Sequence, residues 1–214
     1  VAACAPQGVP VTLKMRSGWS AGQRNALRLA RAAESAGVAM VTVHGRTREQ
    51  GYGGEAEYDT VAAVKAALKV PVVANGDIDS PAKAAAVLEH TGADALMIGR
   101  AAMGRPWIFR DIAHYLAHGR LPPPPAVRDV QRWLTDHLHQ HYALYGEFTG
   151  VRSARKHIGW AVRSLPGGEA FRGAMNAIDD CRAQVQAVSD FFDRLADRHA
   201  TLPASNDALS RLAA

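Results

Sequence analysis

At 214 residues, 48% of them hydrophobic, the chain can bury a core in one or two domains, and with no apolar run of 18 or more residues it is not expected to cross a membrane. The opening VAACAPQGVPV has neither the basic start nor the long apolar stretch of a secretory signal, and its lack of an initiator Met points to a start inside a longer protein. The net charge of +5 fits either a polyanionic partner or a well-solvated arginine-rich surface, and Cys4 and Cys181, far apart and without a Cys-x-x-Cys neighbour, fit a reducing cytoplasm better than a disulfide scaffold.

The first 120 residues alternate between short β-rich runs and helix-like stretches. VTLKM (11–15), MVTVHG (40–45), PVVANG (71–76) and ALMIGR (95–100) read as strands. Between them, 25–36, 58–68 and 80–90 carry apolar residues near a 3.6-residue period, and Ser80 followed by Pro81 reads as a helix N-cap. Such alternation predicts βαβ units, and the apolar runs predict a parallel sheet buried on both faces.

Each strand ends in polar residues: Lys14 and Arg16, His44 and Arg46, Asn75 and Asp77, Gly99 and Arg100. The steps from Lys14 to His44, Asn75 and Gly99 are 30, 31 and 24 residues, the pitch of a βα unit. Parallel α/β folds build their sites at this rim. A single strand-end cation is commonly a solvated rim residue, whereas four polar ends in succession point to a site. Gly76 and Gly99 allow backbone N–H groups to approach a phosphate, and AAMGRPWIF can supply the short extra helix of a barrel phosphate site. Four units are half of an eight-stranded barrel, so the pattern fits either a small doubly wound sheet or a barrel whose first four strands are absent.

GRLPPPPAV (119–127) reads as an extended linker, since four prolines cannot continue a helix. Helices are predicted over 128–145, 151–162 and 176–198, with LPGGEA as a break, and the tail 200–214 is expected to be disordered. VRSARKHIGWAVR gathers Arg152, Arg155, Lys156, His157 and Arg163 around Trp160, a composition that serves either a solvated helix face or RNA phosphates. In HLHQHY, His137 and His141 share a helix face, but without HExxH, a cysteine cluster or a carboxylate ligand the expectation is no metal site.

The phrases VPVTLKMRSGW, VHGRTREQGYGGEAEYD, VVANGDI and GADALMIGRAAMGRPWIF resemble the second half of the barrel of tRNA-dihydrouridine synthases, and VRSARKHIGW and FRGAMNAIDD resemble the helical domain of their bacterial B-type subfamily. The resemblance runs from about Val9 to Ala196. It implies the C-terminal half of a (β/α)8 TIM barrel (1–118), the proline linker (119–127) and an all-helical tRNA-binding bundle (128–199). It further implies FMN at the barrel mouth, NADPH as reductant, and reduction of selected tRNA uridines by hydride transfer to C6 with a cysteine protonating C5. By motif it places FMN contacts at Lys14, His44, Asn75, Gly76, Asp77, Gly99 and Arg100, with Asp77 holding ribityl hydroxyls or buttressing a loop. Arg16, Arg46, Arg152, Arg155 and Lys156 fall to the tRNA.

The family's proton donor sits in an Asn-x-Gly-Cys-Pro context that does not occur here, and neither Cys4 nor Cys181 takes that role by motif. The expectation is therefore a cytoplasmic fragment, inactive alone, from a monomeric parent, with open sheet edges through which the fragment self-associates. Two other readings stand beside it: an FMN-barrel oxidoreductase of the dihydroorotate-dehydrogenase type, disfavoured by the basic helical appendage, and a non-catalytic truncated RNA-binding module.

Overall fold

The computed structural model describes Val1 and residues 3–203. The chain divides into two units: Val1–Ala102 with Ile108–Leu121, and Met103–Trp107 with the chain from Pro122 onward.

The first unit is a four-stranded parallel sheet in the order β1 (Thr12–Arg16), β2 (Met40–His44), β3 (Val72–Asn75), β4 (Ala95–Met97). The connections run through α1 (Ala26–Ser35), α2 (Asp59–Ala67) and α3 (Pro81–Thr91), and α4 (Ile108–His118) follows β4. The register aligns Arg16 with His44, His44 with Asn75, and Asn75 with Met97, so the strand ends form one row. Leu13, Met15, Val41, Val43, Val72, Ala74 and Leu96 pack in one core with Ala26, Ala30, Val61, Val64, Ala84, Val87, Ile108 and Ile112 from the four helices.

The alternate row behaves differently. Thr42 and Val73 are buried, but Thr12, Lys14 and Ala95 are exposed. The expectation of a sheet buried on both faces is therefore corrected among the described residues. The cause is legible in β1 itself, where Leu13 and Met15 alternate with Thr12, Lys14 and Arg16, a period-2 pattern with one apolar and one polar face.

Local chemistry sets the element ends. Ser80 Oγ accepts from the Lys83 N–H at 3.3 Å, Pro81 occupies the first turn, and Gly92 stops α3 in the left-handed region at φ 62°. Asp94 then accepts from the Val72 N–H at 2.8 Å and from Lys65 Nζ at 2.7 Å, joining β3 and α2 to the entry of β4. After β4 the expected short helix is a single 3-10 turn, Arg100–Ala102.

The second unit is helical. α5 (Val127–Val162) is two arms joined at Gly146 (φ 71°, ψ 171°), matching the two helices predicted there. α6 (Gly168–Met175) lies outside the three helices the sequence predicts, and α7 (Cys181–Ala196) starts five residues later than the sequence indicates. LPGGEA reads as a break in sequence, yet its glycines open a helix. Gly167 is left-handed at φ 72°, and a Cβ on Gly168 would lie 1.8 Å from the Val162 carbonyl oxygen. Asp180 caps α7 by accepting from the Ala183 N–H at 2.7 Å.

The tail also departs from expectation. The Val127 N–H donates to Ala200 O, the Leu202 N–H donates to Pro125 O, and Ala126 and Thr201 form an antiparallel bridge. The extended prolines leave a strand-like end whose free backbone groups the returning chain satisfies. Residues 204–214, the rest of the segment predicted as disordered, lie outside the described residues.

The core of the helical unit centres on Phe192, fully buried and edge-on to Phe191, which stacks on Phe171 at 4.6 Å. Phe192→Ala is expected to lower stability by about 3–5 kcal/mol, through lost burial and a cavity. Phe148→Ala, at a side chain 72% exposed, should change it by no more than about 0.5 kcal/mol. Equal urea midpoints for the two variants would refute this placement of the core.

Candidate active-site rim at the strand ends

The rim is organised by the loop after β2. Arg46 is buried, and its guanidinium forms a two-pronged pair with Asp77, Nη1 to Oδ1 at 2.7 Å and Nη2 to Oδ2 at 2.6 Å. Its remaining donors reach the carbonyls of Gly53 (3.1 Å) and Gly54 (2.6 Å). Asp77 Oδ2 also accepts from the Ala56 N–H at 2.9 Å, and Oδ1 accepts from Arg100 at 3.1 Å. Asp77 therefore buttresses the loop over 46–56, one of the two roles expected for it, and Arg46, expected to face the tRNA, is committed to the same framework.

Close backbone approach explains the glycines. Gly45 donates to Asn75 O at 3.0 Å and accepts from the Glu57 N–H at 2.8 Å, and a Cβ there would lie 2.0 Å from Glu57 O. Gly76 has φ 124°, and a Cβ would meet Ala56 Cβ at 2.7 Å and the His44 ring at 3.0 Å. Tyr58 donates its hydroxyl to Gly76 O at 2.5 Å. Burial, and then the charge of Asp77, push its phenol up to about 12, so it remains a donor.

The remaining strand-end residues form a basic row. Arg16 donates to Thr47 O (2.8 Å) and Gly51 O (2.9 Å), and Asn75 Nδ2 donates to Met97 O (2.8 Å). Arg100 lies over the Tyr52 ring, 4.9 Å from its centroid. Gly99 is exposed. Lys14 stands on the open face, and burial followed by the charge of Arg16 lowers its pKa. His44 is pushed down to about 4 by burial and then by Arg16, Lys14 and Arg46, against the opposing pull of Asp77. It is neutral at pH 7, able to donate from one ring nitrogen and accept at the other. Asp77 is raised by burial, but the Arg46 and Ala56 hydrogen bonds and the charges of Arg46 and Arg100 outweigh this and leave it below the usual carboxylate range.

Sequence reasoning missed Tyr58, Ala56 and the carbonyls of Gly53 and Gly54 as parts of this framework. The available signal was the glycine spacing in HGRTREQGYGGEAEY, which marks a loop whose carbonyls turn inward. Ser17 Oγ is also buried beside the rim without a hydrogen-bond partner. Of the cysteines, Cys4 lies before the N-terminal end of β1, and Cys181 begins α7 in the helical unit.

In the helical unit, Arg155, Lys156, Trp160, Arg163, Arg172 and Asn176 line an open concavity of about 360 Å³. Its cations are not equivalent. Arg155 is half-buried and donates to Asp179 (2.6 Å) and Ile178 O (3.1 Å), and Arg172 pairs with Glu169. Lys156 and Arg163 are exposed. Arg152 lies on the Phe148 ring at 3.7 Å and is not among the lining residues.

Two outcomes are expected from the rim. Asp77→Asn leaves the buried Arg46 charge unpaired, and stability should fall toward the lower end of the roughly 3–5 kcal/mol typical of a broken buried pair, because Asp77 is a quarter exposed. Protease cleavage within 47–56 should accelerate, and an unchanged cleavage rate would show the loop is held otherwise. His44 titrates near 6.5 unfolded and near 4 folded, so the unfolded chain takes the proton first, and stability falls as pH drops from 6.5 to 4. Asp77 removes stability at still lower pH, as its depressed carboxyl protonates. His44→Gln should flatten the urea midpoint over the window from 6.5 to 4, and a wild-type slope there would contradict the shift.

The family described as "Dihydrouridine synthase (Dus)" matches residues 2–196. The chain is 55% identical over 184 residues to tRNA-dihydrouridine synthase B of Pseudomonas putida, covering 86% of this chain and 55% of that protein. It is 54% identical over 187 residues to tRNA-dihydrouridine synthase B of Xanthomonas campestris pv. campestris (87% and 56%) and 51% identical over 188 residues to that of Yersinia pestis (88% and 59%). The chain thus spans a little over half the length of these relatives.

Proposed function

Because the chain belongs to the dihydrouridine synthase family, we propose that it forms the C-terminal part of a cytoplasmic, FMN-dependent enzyme that reduces selected tRNA uridines to 5,6-dihydrouridine with NADPH. The observation that carries this reading is the basic row at the strand ends. The charges of Lys14 and Arg16 both reach His44, Arg16 is held by the Thr47 and Gly51 carbonyls, and the Lys14 ammonium has no hydrogen bond among the described residues. Such a donor set fits an anionic group, and FMN carries a phosphate and becomes anionic when reduced. When bound, FMN supplies the hydride that reaches C6 of the uridine.

In this reading the chain's own residues orient and hold charge. Lys14 keeps a cation beside the ring system, and His44 offers a neutral hydrogen-bonding edge. Asn75, fixed through Met97 O, presents its side-chain carbonyl. Gly99 and Arg100 take the phosphate. Arg46 and Asp77 keep the loop in place and touch neither cofactor nor base. In the first unit, the four strands and their helices form half of a TIM barrel.

The helical unit takes tRNA phosphates on Lys156 and Arg163, and Trp160 supplies a stacking face in the same concavity. Arg155 positions that surface through Asp179. The location of Cys4 before β1 supports assigning the C5 proton donor to a residue outside these 214. The outer edges of β1 and β4 support self-association of the chain on its own.

A chimera tests this reading. This chain replaces the matching segment of the Pseudomonas putida relative, and dihydrouridine is measured after incubation with FMN, NADPH and unmodified tRNA. The chimera is expected to form dihydrouridine, and the 214-residue chain alone is expected to form none. Lys14→Ala in the chimera should weaken flavin retention about tenfold, the loss of one charge-assisted contact. Lys156→Glu with Arg163→Glu should lower the salt slope of tRNA binding by about two. A folded chimera without activity, beside an active parent, would overturn the reading.

A further inference from the structure

The kink at Gly146 folds the second arm of α5 back along the first, and this brings together histidines that the sequence separates. His137 and His141 lie one turn apart on the first arm, and His157 arrives from the second. A ring nitrogen of each lies within 4.8 Å of one from each of the others. The ring centroids are 5.1 Å apart for His137 and His157, 5.3 Å for His141 and His157, and 5.8 Å for His137 and His141. From this convergence we propose that the three histidines form a binding site for a late first-row divalent transition metal ion, with Zn²⁺ as the representative, closing the two arms of α5 against each other.

The ligand chemistry fits. Imidazole nitrogen is a preferred ligand of Zn²⁺, and three histidines with an open fourth position for water form a recurrent coordination set. Bonds of about 2.0–2.1 Å in a tetrahedral arrangement place ligand nitrogens roughly 3.3 Å apart. The trio therefore has to contract by up to about 1.5 Å. His137 is exposed and can swing, His157 is half-buried, and His141 is buried and supplies the fixed member.

His141 has an outer hydrogen-bond partner on the second arm. Ser153 Oγ lies 2.7 Å from His141 Nε2, and the same hydroxyl is within reach of the carbonyls of Thr149 (2.7 Å) and Gly150 (3.3 Å). With its proton on either carbonyl, the hydroxyl accepts from Nε2 and leaves a lone pair on Nδ1, the tautomer-setting role that outer partners of metal-binding histidines perform.

One charge opposes the site. The field of Lys156 reaches His141 and His157, but its ammonium is exposed and free to turn into solvent. His139 lies between the two ligands in sequence, is exposed, and does not belong to the trio. HLHQHY by itself carries no metal-site motif, and His157, sixteen residues beyond His141, joins the pair only once the arms fold together.

The test is calorimetric titration of the untagged chain with Zn²⁺ alone, with Co²⁺ as a spectroscopic probe. One equivalent should bind, Co²⁺ should give the intense visible bands of a four-coordinate site, and the thermal midpoint should rise with free metal. His157→Gln and His137→Gln should each weaken binding at least about tenfold, and Ser153→Ala should weaken it through loss of the outer hydrogen bond. His139→Gln and Cys181→Ser should bind as the parent does. Circular dichroism of each metal-free variant checks the fold, and if His157→Gln does not fold, the exposed His137→Gln decides. Absence of stoichiometric binding, six-coordinate Co²⁺ spectra, or affinity undiminished in folded His137→Gln would overturn the proposal.

Discussion

The architecture of the rim depends on a desolvated guanidinium. Arg46 has almost no contact with water, and an unpaired charge in that position would cost several kcal/mol. Asp77 and two loop carbonyls remove the penalty together, which ties β3, the β2 loop and the start of α2 into one framework. Asp77 is the one non-glycine residue with positive φ among those described, at 44°, and the four hydrogen bonds to its carboxylate hold it there. The preceding glycine allows the chain to pass under the His44 ring.

This framework sorts the cations by role. Arg46 and Arg16 are spanned by protein carbonyls and belong to the scaffold. Among the described strand-end cations, the Lys14 ammonium has no hydrogen bond within the protein, and Arg100, shared between Asp77 and Tyr52, stands between the two groups. The helical unit repeats the division, with Arg155 tied to Asp179 and Lys156 and Arg163 facing solvent. A count of basic residues in either segment cannot separate structural charges from available ones, because the distinction lies in what each guanidinium faces.

Period-2 and 3.6-residue patterns are local, which is why the four strands, the first three helices and the polar strand ends were readable from the chain. The kink in α5 was readable for the same reason, since the two predicted helices stop on either side of Gly146. What failed was non-local or ambiguous chemistry. The Gly-Gly pair before α6 was indistinguishable from a helix stop without the Val162 carbonyl beside it. Arg46 reads as a surface cation in HGRTR and becomes a structural one only when Asp77, thirty-one residues later, arrives beside it. Leu202 looks like part of a polar tail until Pro125 supplies its acceptor.

The bridge between Ala126 and Thr201 has a consequence for modularity. It places the point where the polypeptide enters α5 next to the point where it comes out after α7. A stretch whose two ends coincide can be excised, exchanged or inserted elsewhere with little change to the path of the host chain. Recombination between homologous chains at these two points would therefore transfer the helices from α5 to α7 as a cassette, and the proline run ahead of it would act as a stiff adaptor tolerant of different neighbours.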